Sequence, residues 1–252
     1  MMHFNNIKTG TVTLLLGMVV LSAQGQITSK EVTNQKVVWA SLTETIQWNS
    51  RWSTVLNAQD RLFVDTPGSF QLLLNTVSYY KAIDNIKLGG GFLFFDFRRR
   101  LTAESPLVDV IEWRPYQSIK VDIGKNHWKL MNRLNIEERF QENVVSGTLS
   151  DQYKFSFRFR LKWEFSYQLW KGRKDNILTI VVSTEPMINA GANIVNNTFD
   201  QNRLITQLSY QVNPVWSVSS GYMNWKFQRP SGASFDIRHV WLIGLSHKIL
   251  KQ

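Results

Sequence analysis

Histidine is the side chain best suited to acid–base chemistry near neutral pH, and the sequence pairs no histidine with a usable nucleophile. A serine hydrolase needs a nucleophile and a base within hydrogen-bond reach, usually with a third group that orients the base. His239 has no serine two residues away, and His247 adjoins Ser246, which a strand would point to the opposite face. His127 lies in a predicted short turn. We therefore assign no catalytic residue, and a hydrolase using His239 is kept as an alternative only.

Charged residues in otherwise apolar segments form the second candidate site. Asp200 and Arg203 lie in FDQNR, and Glu112 and Arg114 lie in EWRPYQ. Together with charges from two further segments they could meet as an ion-pair network, which is either a ligand or gating site or, as we favour, a structural network of satisfied charges. Its candidate members are Glu112, Arg114, Arg133, Glu137, Arg139, Arg158, Arg160, Asp200 and Arg203.

Two other kinds of site are not supported. Gly89–Gly91 is not followed by the Gly-Lys-Ser/Thr of a phosphate-binding loop, so we interpret these glycines as a place of bending or close packing within a strand. The chain has no cysteine, which excludes disulfides and thiolate metal sites. We expect neither a metal nor a cofactor.

The segment from Gln152 to Leu169 reveals the element that must carry these residues. Every odd position is apolar or aromatic and every even position is polar, so the segment is a strand with one apolar and one polar face. Its eighteen residues exceed the five or six of an ordinary soluble strand, whereas a strand that crosses a membrane needs about 9 to 11 residues.

Weaker alternation elsewhere predicts an all-β protein without helices. The predicted strands are 37–47, 52–65, 69–81, 86–98, 107–121, 128–141, 152–170, 177–187, 199–212, 216–228 and 237–250. Short connections alternate with longer ones at 99–106, 142–151, 188–198 and 229–236. Such alternation is typical of outer-membrane barrels, whose periplasmic turns are short and whose outer loops are longer.

The first 25 residues read as a signal peptide. Lys8 precedes an apolar run from Thr11 to Ser22 that is too short to cross a bilayer as a helix, and Ala23 and Gly25 are suitable small residues before a cleavage site. We expect the mature chain to begin at Gln26, or at Gln24 if cleavage follows Ala23. Residues 26–252 then form one domain. Removal of the signal peptide, and with it Lys8, lowers the formal net charge from +10 to +9. Because the chain is expected to be exported, we do not expect nucleic acid to be the partner of this positive charge.

A closed antiparallel transmembrane β-barrel accounts for these features. Closure removes the strand edges along which long alternating strands would aggregate, and lipid accepts the apolar face. Five of the ten tryptophans, Trp48, Trp52, Trp128, Trp170 and Trp216, adjoin the short turns, as expected for an aromatic belt at the membrane surface. The charged candidates then point into the lumen, because lipid does not accept them cheaply.

The sequence also resembles a known family. FDQNR at 199–203, RLNIEERF at 133–140 and RFRL at 158–161 are similar to outer-membrane β-barrels grouped as the domain of unknown function twenty-four-ninety. The resemblance spans nearly all of the mature chain. It implies a signal peptide and a barrel, and it implies no activity, cofactor or catalytic residue.

The expected protein is therefore a barrel of the Gram-negative cell outer membrane with a structural or small-solute-binding role. Its expected partners are outer-membrane lipids, an unidentified small ligand and the barrel assembly machinery. Alternatives are an outer-membrane lipid hydrolase and an exported soluble β-sandwich that binds a polymer. Because both termini should be periplasmic, we predict twelve strands, with the missing strand in residues 26–36, or ten if two segments merge. We expect side chains to occupy the lumen and to limit conductance.

Overall fold

The computed structural model describes residues 31–65, 69–99, 107–145, 148–173 and 175–250, and these residues form β-strands joined by turns and loops. Its strands are β1 (Glu31–Gln47), β2 (Trp52–Phe63), β3 (Ser69–Ile83), β4 (Ile86–Arg99), β5 (Val108–Lys125), β6 (Trp128–Val145), β7 (Thr148–Lys171), β8 (Ile177–Ala190), β9 (Phe199–Gln211), β10 (Trp216–Gln228) and β11 (Ser234–Leu250). In this part of the chain no helix has the length and apolarity to cross a bilayer. The predicted signal peptide lies outside the described residues.

The eleven strands close into a barrel in which each strand pairs with its neighbours in sequence. Ten of the pairs are antiparallel, and the closing pair of β1 with β11 is parallel, running from Glu31 opposite Ser234 to Gln47 opposite Leu250. The prediction of twelve or ten strands is therefore wrong. Residues 31–36 are the beginning of β1, and its direct pairing with β11 leaves no gap for another strand. The soluble sandwich is likewise excluded, because the sheet is closed.

All eleven predicted strands are confirmed, most of them to within a few residues of their ends. One predicted long loop is wrong: β6 and β7 continue through most of 142–151, with Glu142 opposite Tyr153 and Val145 opposite Thr148. A bulge between Glu142 and Val144 allows this extension. Elsewhere, connections at one end of the barrel, which we call the short-turn end, are shorter than most of those at the other end, the loop end.

Side chains alternate between the outside and the interior of the barrel, as predicted for β7. Ser156 and Arg158 are buried inside, whereas Phe155, Phe165 and Tyr167 are exposed outside. The five tryptophans predicted beside the short turns are all exposed. The exterior is thus broadly apolar and aromatic, and on β7 the polar face is turned inward.

The glycines of β4 allow close packing, as the sequence predicted. A Cβ on Gly89 would lie 2.7 Å from the ring of Tyr79, and one on Gly91 would lie 2.6 Å from Cε1 of Tyr116. Gly90, which alternates to the outside, has no atom within 4 Å of its Cβ position. The two inward glycines thus leave room for two tyrosine rings against the barrel wall.

The two tyrosines belong to a hydrogen-bonded layer across the interior, which we call the polar layer: Asn75, Tyr79, Tyr116, Ser118 and Asn135. Tyr116 Oη donates to Asn75 Oδ1 at 2.8 Å, and Ser118 Oγ donates to Asn135 Oδ1 at 2.8 Å. Tyr79 Oη lies 3.3 Å from Ser118 Oγ. On the opposite wall the interior is filled by an apolar cluster of Val37, Trp39, Phe70, Met223, Trp225 and Val240.

Candidate functional site

The nine charged residues singled out in the sequence come together inside the barrel on β5, β6, β7 and β9. They project from the inward faces of these four strands, where each carboxylate lies within reach of at least one guanidinium group. The network divides into two halves joined by Arg114, which contacts both Glu112 and Glu137.

The half nearer the loop end is centred on Glu112 and Asn189. Glu112 accepts from Arg114 Nε at 2.8 Å and from Arg139 Nη2 at 3.2 Å. Arg139 and Arg158 both donate to Asn189 Oδ1, each at 3.2 Å. Asn189 Nδ2 in turn donates to Asp200 Oδ1 at 3.1 Å, and Arg158 Nη2 lies 2.9 Å from Asp200 Oδ2. One neutral amide therefore links two arginines and one aspartate.

The other half is centred on Glu185, which three guanidinium groups share. Arg133 Nη2 donates to Glu185 Oε1 at 2.8 Å, and Arg160 Nη2 donates to Oε2 at 3.0 Å. Arg203 Nη1 lies 3.6 Å from the same carboxylate, beyond hydrogen-bond distance. Arg160 also donates through Nη1 to Glu137 at 2.6 Å. Glu185 and Glu137 are almost fully buried, so these contacts must replace their hydration.

A bulge in β9 aims two consecutive residues of FDQNR into the interior. Met187 pairs with Gln201 and Ile188 pairs with Phe199, so Asp200 is the extra residue. Because a bulge interrupts the alternation, Asp200 and Gln201 are both buried, and Trp225 Nε1 donates to Gln201 Oε1. The most distinctive segment of the sequence therefore contains a bulge that turns two neighbouring side chains into the interior.

Sequence reasoning missed two members of the network, Glu185 and Asn189. Both lie on β8, whose even positions from Leu178 to Val182 are apolar. If the even positions face outward, the odd positions Ser183 and Glu185 face the interior, so the inward direction of Glu185 could have been predicted from the sequence. Asn189 lies beyond the predicted end of the strand, and its position follows only from the observed extension of β8 to Ala190.

Two more arginines, Arg61 and Arg238, join Arg203 of the network around a pair of tryptophans, and we call these three residues the arginine trio. Their guanidinium carbons lie 5.5, 5.0 and 4.6 Å from the ring centroid of Trp225. Arg61 also stacks 3.6 Å over Trp39, and Arg203 lies 5.2 Å from the same ring. Cation–π contact of this kind stabilises a guanidinium group away from bulk water, and the trio concentrates positive charge at one place in the lumen.

The trio and the network line a chamber of about 1040 Å³ between the polar layer and the loop end. Asn75, Tyr116 and Asn135 are part of its lining, whereas Tyr79 and Ser118 lie beyond it toward the short-turn end. One wall carries the ion pairs, and the other carries aromatic side chains, among them Phe63, Phe70, Phe95 and Phe227.

Residues of the loop end complete the lining of the chamber. Ile194, Asn197, Pro230 and Ser231 contribute to it from two connections. Arg229 donates through Nε to Asp236 Oδ1 at 2.9 Å, and this hydrogen bond raises the pKa of its guanidinium group. A further ion pair, between Arg229 and Asp236, thus lies at the rim of the chamber.

The two histidines of β11 lie away from the chamber. His239 and His247 are on the outer face of β11, where His239 Nδ1 lies 2.7 Å from Tyr222 Oη and His247 Nδ1 lies 2.8 Å from Glu44 Oε2. His247 also stacks on Trp216. Neither histidine is paired with a serine. Among the residues with described positions, no group of three or more His, Asp or Glu side chains could hold a metal ion.

Comparison with known proteins yields a family and no closer relative. No curated protein and no solved structure matches the chain. The family described as "Protein of unknown function (DUF2490)" matches residues 37–236, which extend from β1 into β11 and include every member of the network and the trio except Arg238. The chain therefore belongs to this family of β-barrel proteins of unknown function.

Proposed function

We propose that this protein is a β-barrel of the Gram-negative outer membrane whose lumen is a floored, arginine-rich chamber for a small solute, and not an open pore. The observation that carries the proposal is the combination of an apolar exterior with a buried ionic interior. Exposed side chains such as Leu72, Leu74, Leu204, Leu208 and Ile243 lie on outward positions of several strands. A soluble protein seldom exposes an apolar surface of this extent.

Two rows of aromatic side chains support the membrane location. Phe94, Trp113, Phe140 and Phe155 are consecutive neighbours across β4, β5, β6 and β7. On β6, Trp128 lies twelve residues from Phe140 at the short-turn end. Twelve residues on a strand tilted as in known barrels span about 30 Å along the barrel axis. Aromatic girdles flank the apolar band of outer-membrane barrels at a comparable separation.

The interior supports a solute chamber in preference to a porin. Barrels of about 8 strands are filled by side chains, whereas those of 16 to 18 strands leave an aqueous channel. In this barrel the polar layer lies below the chamber as a floor, and the apolar cluster around Trp39 and Trp225, of which Phe70 and Trp225 line the chamber, narrows the lumen from another wall. We therefore expect solute to enter from the loop end and to stop at this floor.

In this proposal the partners are outer-membrane lipids around the barrel, the barrel assembly machinery during biogenesis and a small molecule in the chamber. The lipid hydrolase has little support from the geometry, because His239 contacts a tyrosine hydroxyl and no serine. No observation on the described residues favours it over the chamber.

The test uses the full chain expressed in a Gram-negative host. Folded protein in outer-membrane fractions should migrate differently on a gel before and after boiling, and it should require detergent for extraction. Purified protein in planar bilayers should give little steady current. Extraction by salt or carbonate alone would contradict the membrane location, and a large stable current would contradict the floored chamber while leaving the membrane location intact.

A further inference from the structure

The chamber carries more positive charge than its carboxylates balance. Of the described residues that line it, ten are arginines and one is a lysine, whereas three are carboxylates. Lining arginines also contact three carboxylates that are not part of the lining: Asp109, Glu137 and Glu185. Eleven cationic groups thus face six acidic ones within the described residues, an excess of five positive charges in a partly enclosed space.

Within the trio, Arg203 and Arg238 each contact a carboxylate that other arginines already share. Arg203 has no hydrogen bond to a described residue, and the one described carboxylate within 4 Å of it, Glu185, already accepts from Arg133 and Arg160. Arg238 donates to neutral Gln35 at 2.7 Å, and its nearest carboxylate oxygen, on Asp236, is 3.8 Å away. Asp236 is also shared, because Arg229 lies 2.8 Å from it.

Trp225 on β10 pairs with Arg203 on β9 and with Arg238 on β11, so the two guanidinium groups flank its ring and their carbons are no more than about 10 Å apart. Two buried cations at this separation repel each other, and a bound anion would relieve the repulsion. Guanidinium groups bind carboxylates and phosphates through paired N–H donors, which makes these anions their preferred ligands.

An apolar surface adjoins the same place. Arg238 lies 5.7, 5.4 and 5.6 Å from the ring centroids of Phe63, Phe70 and Phe227, and Phe63 and Phe70 stack with centroids 3.9 Å apart. All three phenylalanines line the chamber. A ligand that places its anionic group between the arginines can therefore lay an apolar body against these rings, and the volume of the chamber is that of a small-molecule site.

We propose that the chamber binds an anionic amphiphile, with its carboxylate or phosphate bridging Arg203 and Arg238 over Trp225 and its apolar body against Phe63, Phe70 and Phe227. This inference deepens the proposed solute chamber and rests on it, but it does not depend on where in the cell the barrel lies.

The experiment measures binding of soluble eight-carbon probes to the full chain in nanodiscs of zwitterionic lipid, by calorimetry and tryptophan fluorescence, with empty nanodiscs subtracted. Octanoate and octyl phosphate are the two anionic arms and identify which head group is preferred. Octanol tests the apolar body alone, and acetate tests the anion alone. We expect at least one anionic amphiphile to bind at least tenfold more tightly than octanol and acetate.

The variants are Arg203→Gln and Arg238→Gln, with Arg51→Gln as the matched control. Arg51 lies at the short-turn end and bonds to Tyr80, outside the chamber. Each chamber variant should weaken binding of the anionic probe by about tenfold to a hundredfold, the effect of losing one hydrogen bond to a charged group, and should leave octanol unchanged. Arg51→Gln should bind as the wild type does.

Gel mobility before boiling shows that each variant is folded, so that loss of binding is not loss of the barrel. Equal affinity for octanol and octanoate, no binding of either anionic amphiphile by folded wild type, or equal weakening by Arg51→Gln would overturn the inference. Membrane extraction and bilayer current, which test the proposed function, are separate measurements and can succeed while this one fails.

Discussion

Replacing Gly91 with alanine should destabilise the barrel, whereas the same change at Gly90 should not. The new Cβ at Gly91 would lie 2.6 Å from both Cε1 and Oη of Tyr116, whereas ordinary contacts begin near 3.4 Å. The ring must therefore move by about 1 Å, and overpacking of this kind costs about 1–3 kcal/mol. The movement also breaks the hydrogen bond from Tyr116 to Asn75, which contributes about 0.5–1.5 kcal/mol.

Gly90 is the matched control because it lies next to Gly91 in the same strand and meets nothing within 4 Å. Alanine at either position restricts the unfolded chain equally, which favours folding by about 0.5–1 kcal/mol. This gain cancels in the comparison. The free energies of unfolding of the two variants should therefore differ by about 2–4 kcal/mol, with Gly90→Ala equal to the wild type or more stable.

The measurement is urea-induced unfolding in detergent micelles, followed by tryptophan fluorescence and by the fraction of protein that keeps its folded gel mobility. A double variant, Gly91→Ala with Tyr116→Ala, removes the clashing ring. In the Tyr116→Ala background, Gly91→Ala should lower the free energy of unfolding only slightly, because the ring that the new Cβ would clash with is absent. Equal midpoints for Gly91→Ala and Gly90→Ala would refute the reasoning, as would an undiminished cost of Gly91→Ala in the absence of the Tyr116 ring.

Three further predictions concern the network, the faces of the strands and the mature chain. Glu185→Gln removes a carboxylate shared by three guanidinium groups and should lower the free energy of unfolding by about 3–5 kcal/mol. The control Glu138→Gln, on the outer face, keeps a partner for the Gln117 amide and should change the free energy of unfolding by less than about 1 kcal/mol. Equal urea midpoints for the two variants would contradict this prediction. A fluorophore attached to Val218→Cys on the outer face should be quenched by lipid-attached nitroxides, whereas Ser219→Cys on the inner face should react with small aqueous thiol reagents. The reverse pattern would show that the faces are exchanged. Mass spectrometry of the membrane-localised protein should find a mature chain that starts at residue 26 or 24, and detection of Met1 would contradict the predicted signal peptide.

Much of the barrel could be predicted because its strands are long and one-sided. In β7 an unbroken period of two fixed both the element and the direction of Arg158 and Arg160. The extension of β6 and β7 through 142–151 was missed because polar and apolar residues do not alternate there. The strand number was missed for a different reason: the prediction assumed that the first strand begins and the last strand ends at the same end of the barrel, which the parallel pairing of β1 and β11 contradicts.

The candidate site was predictable as a set of inward charges but not as a set of contacts. The partners of each arginine depend on the register between strands and on the bulge at Asp200, neither of which the pattern encodes. Arg61 and Arg238 were missed because apolar residues share the inward faces of their strands, Phe63 on β2 and Val240 on β11, so the usual separation of apolar and polar faces breaks down. The chamber is formed where the alternation is least regular.

The parallel pairing of β1 with β11 has a consequence for how the chain reaches its folded state. Every other strand pair joins segments that are adjacent along the chain and can form as a local hairpin, whereas this pair joins residues separated by about two hundred positions. The length-dependent entropy of closing such a loop is about 5 kcal/mol. We therefore expect ten strand pairs to form in sequence as an open, curling sheet, and the seam to form last, in the step that determines the folding rate. Until that step the two unpaired edges are exposed, and a variant weakened only at the seam would accumulate as an open sheet instead of unfolding completely.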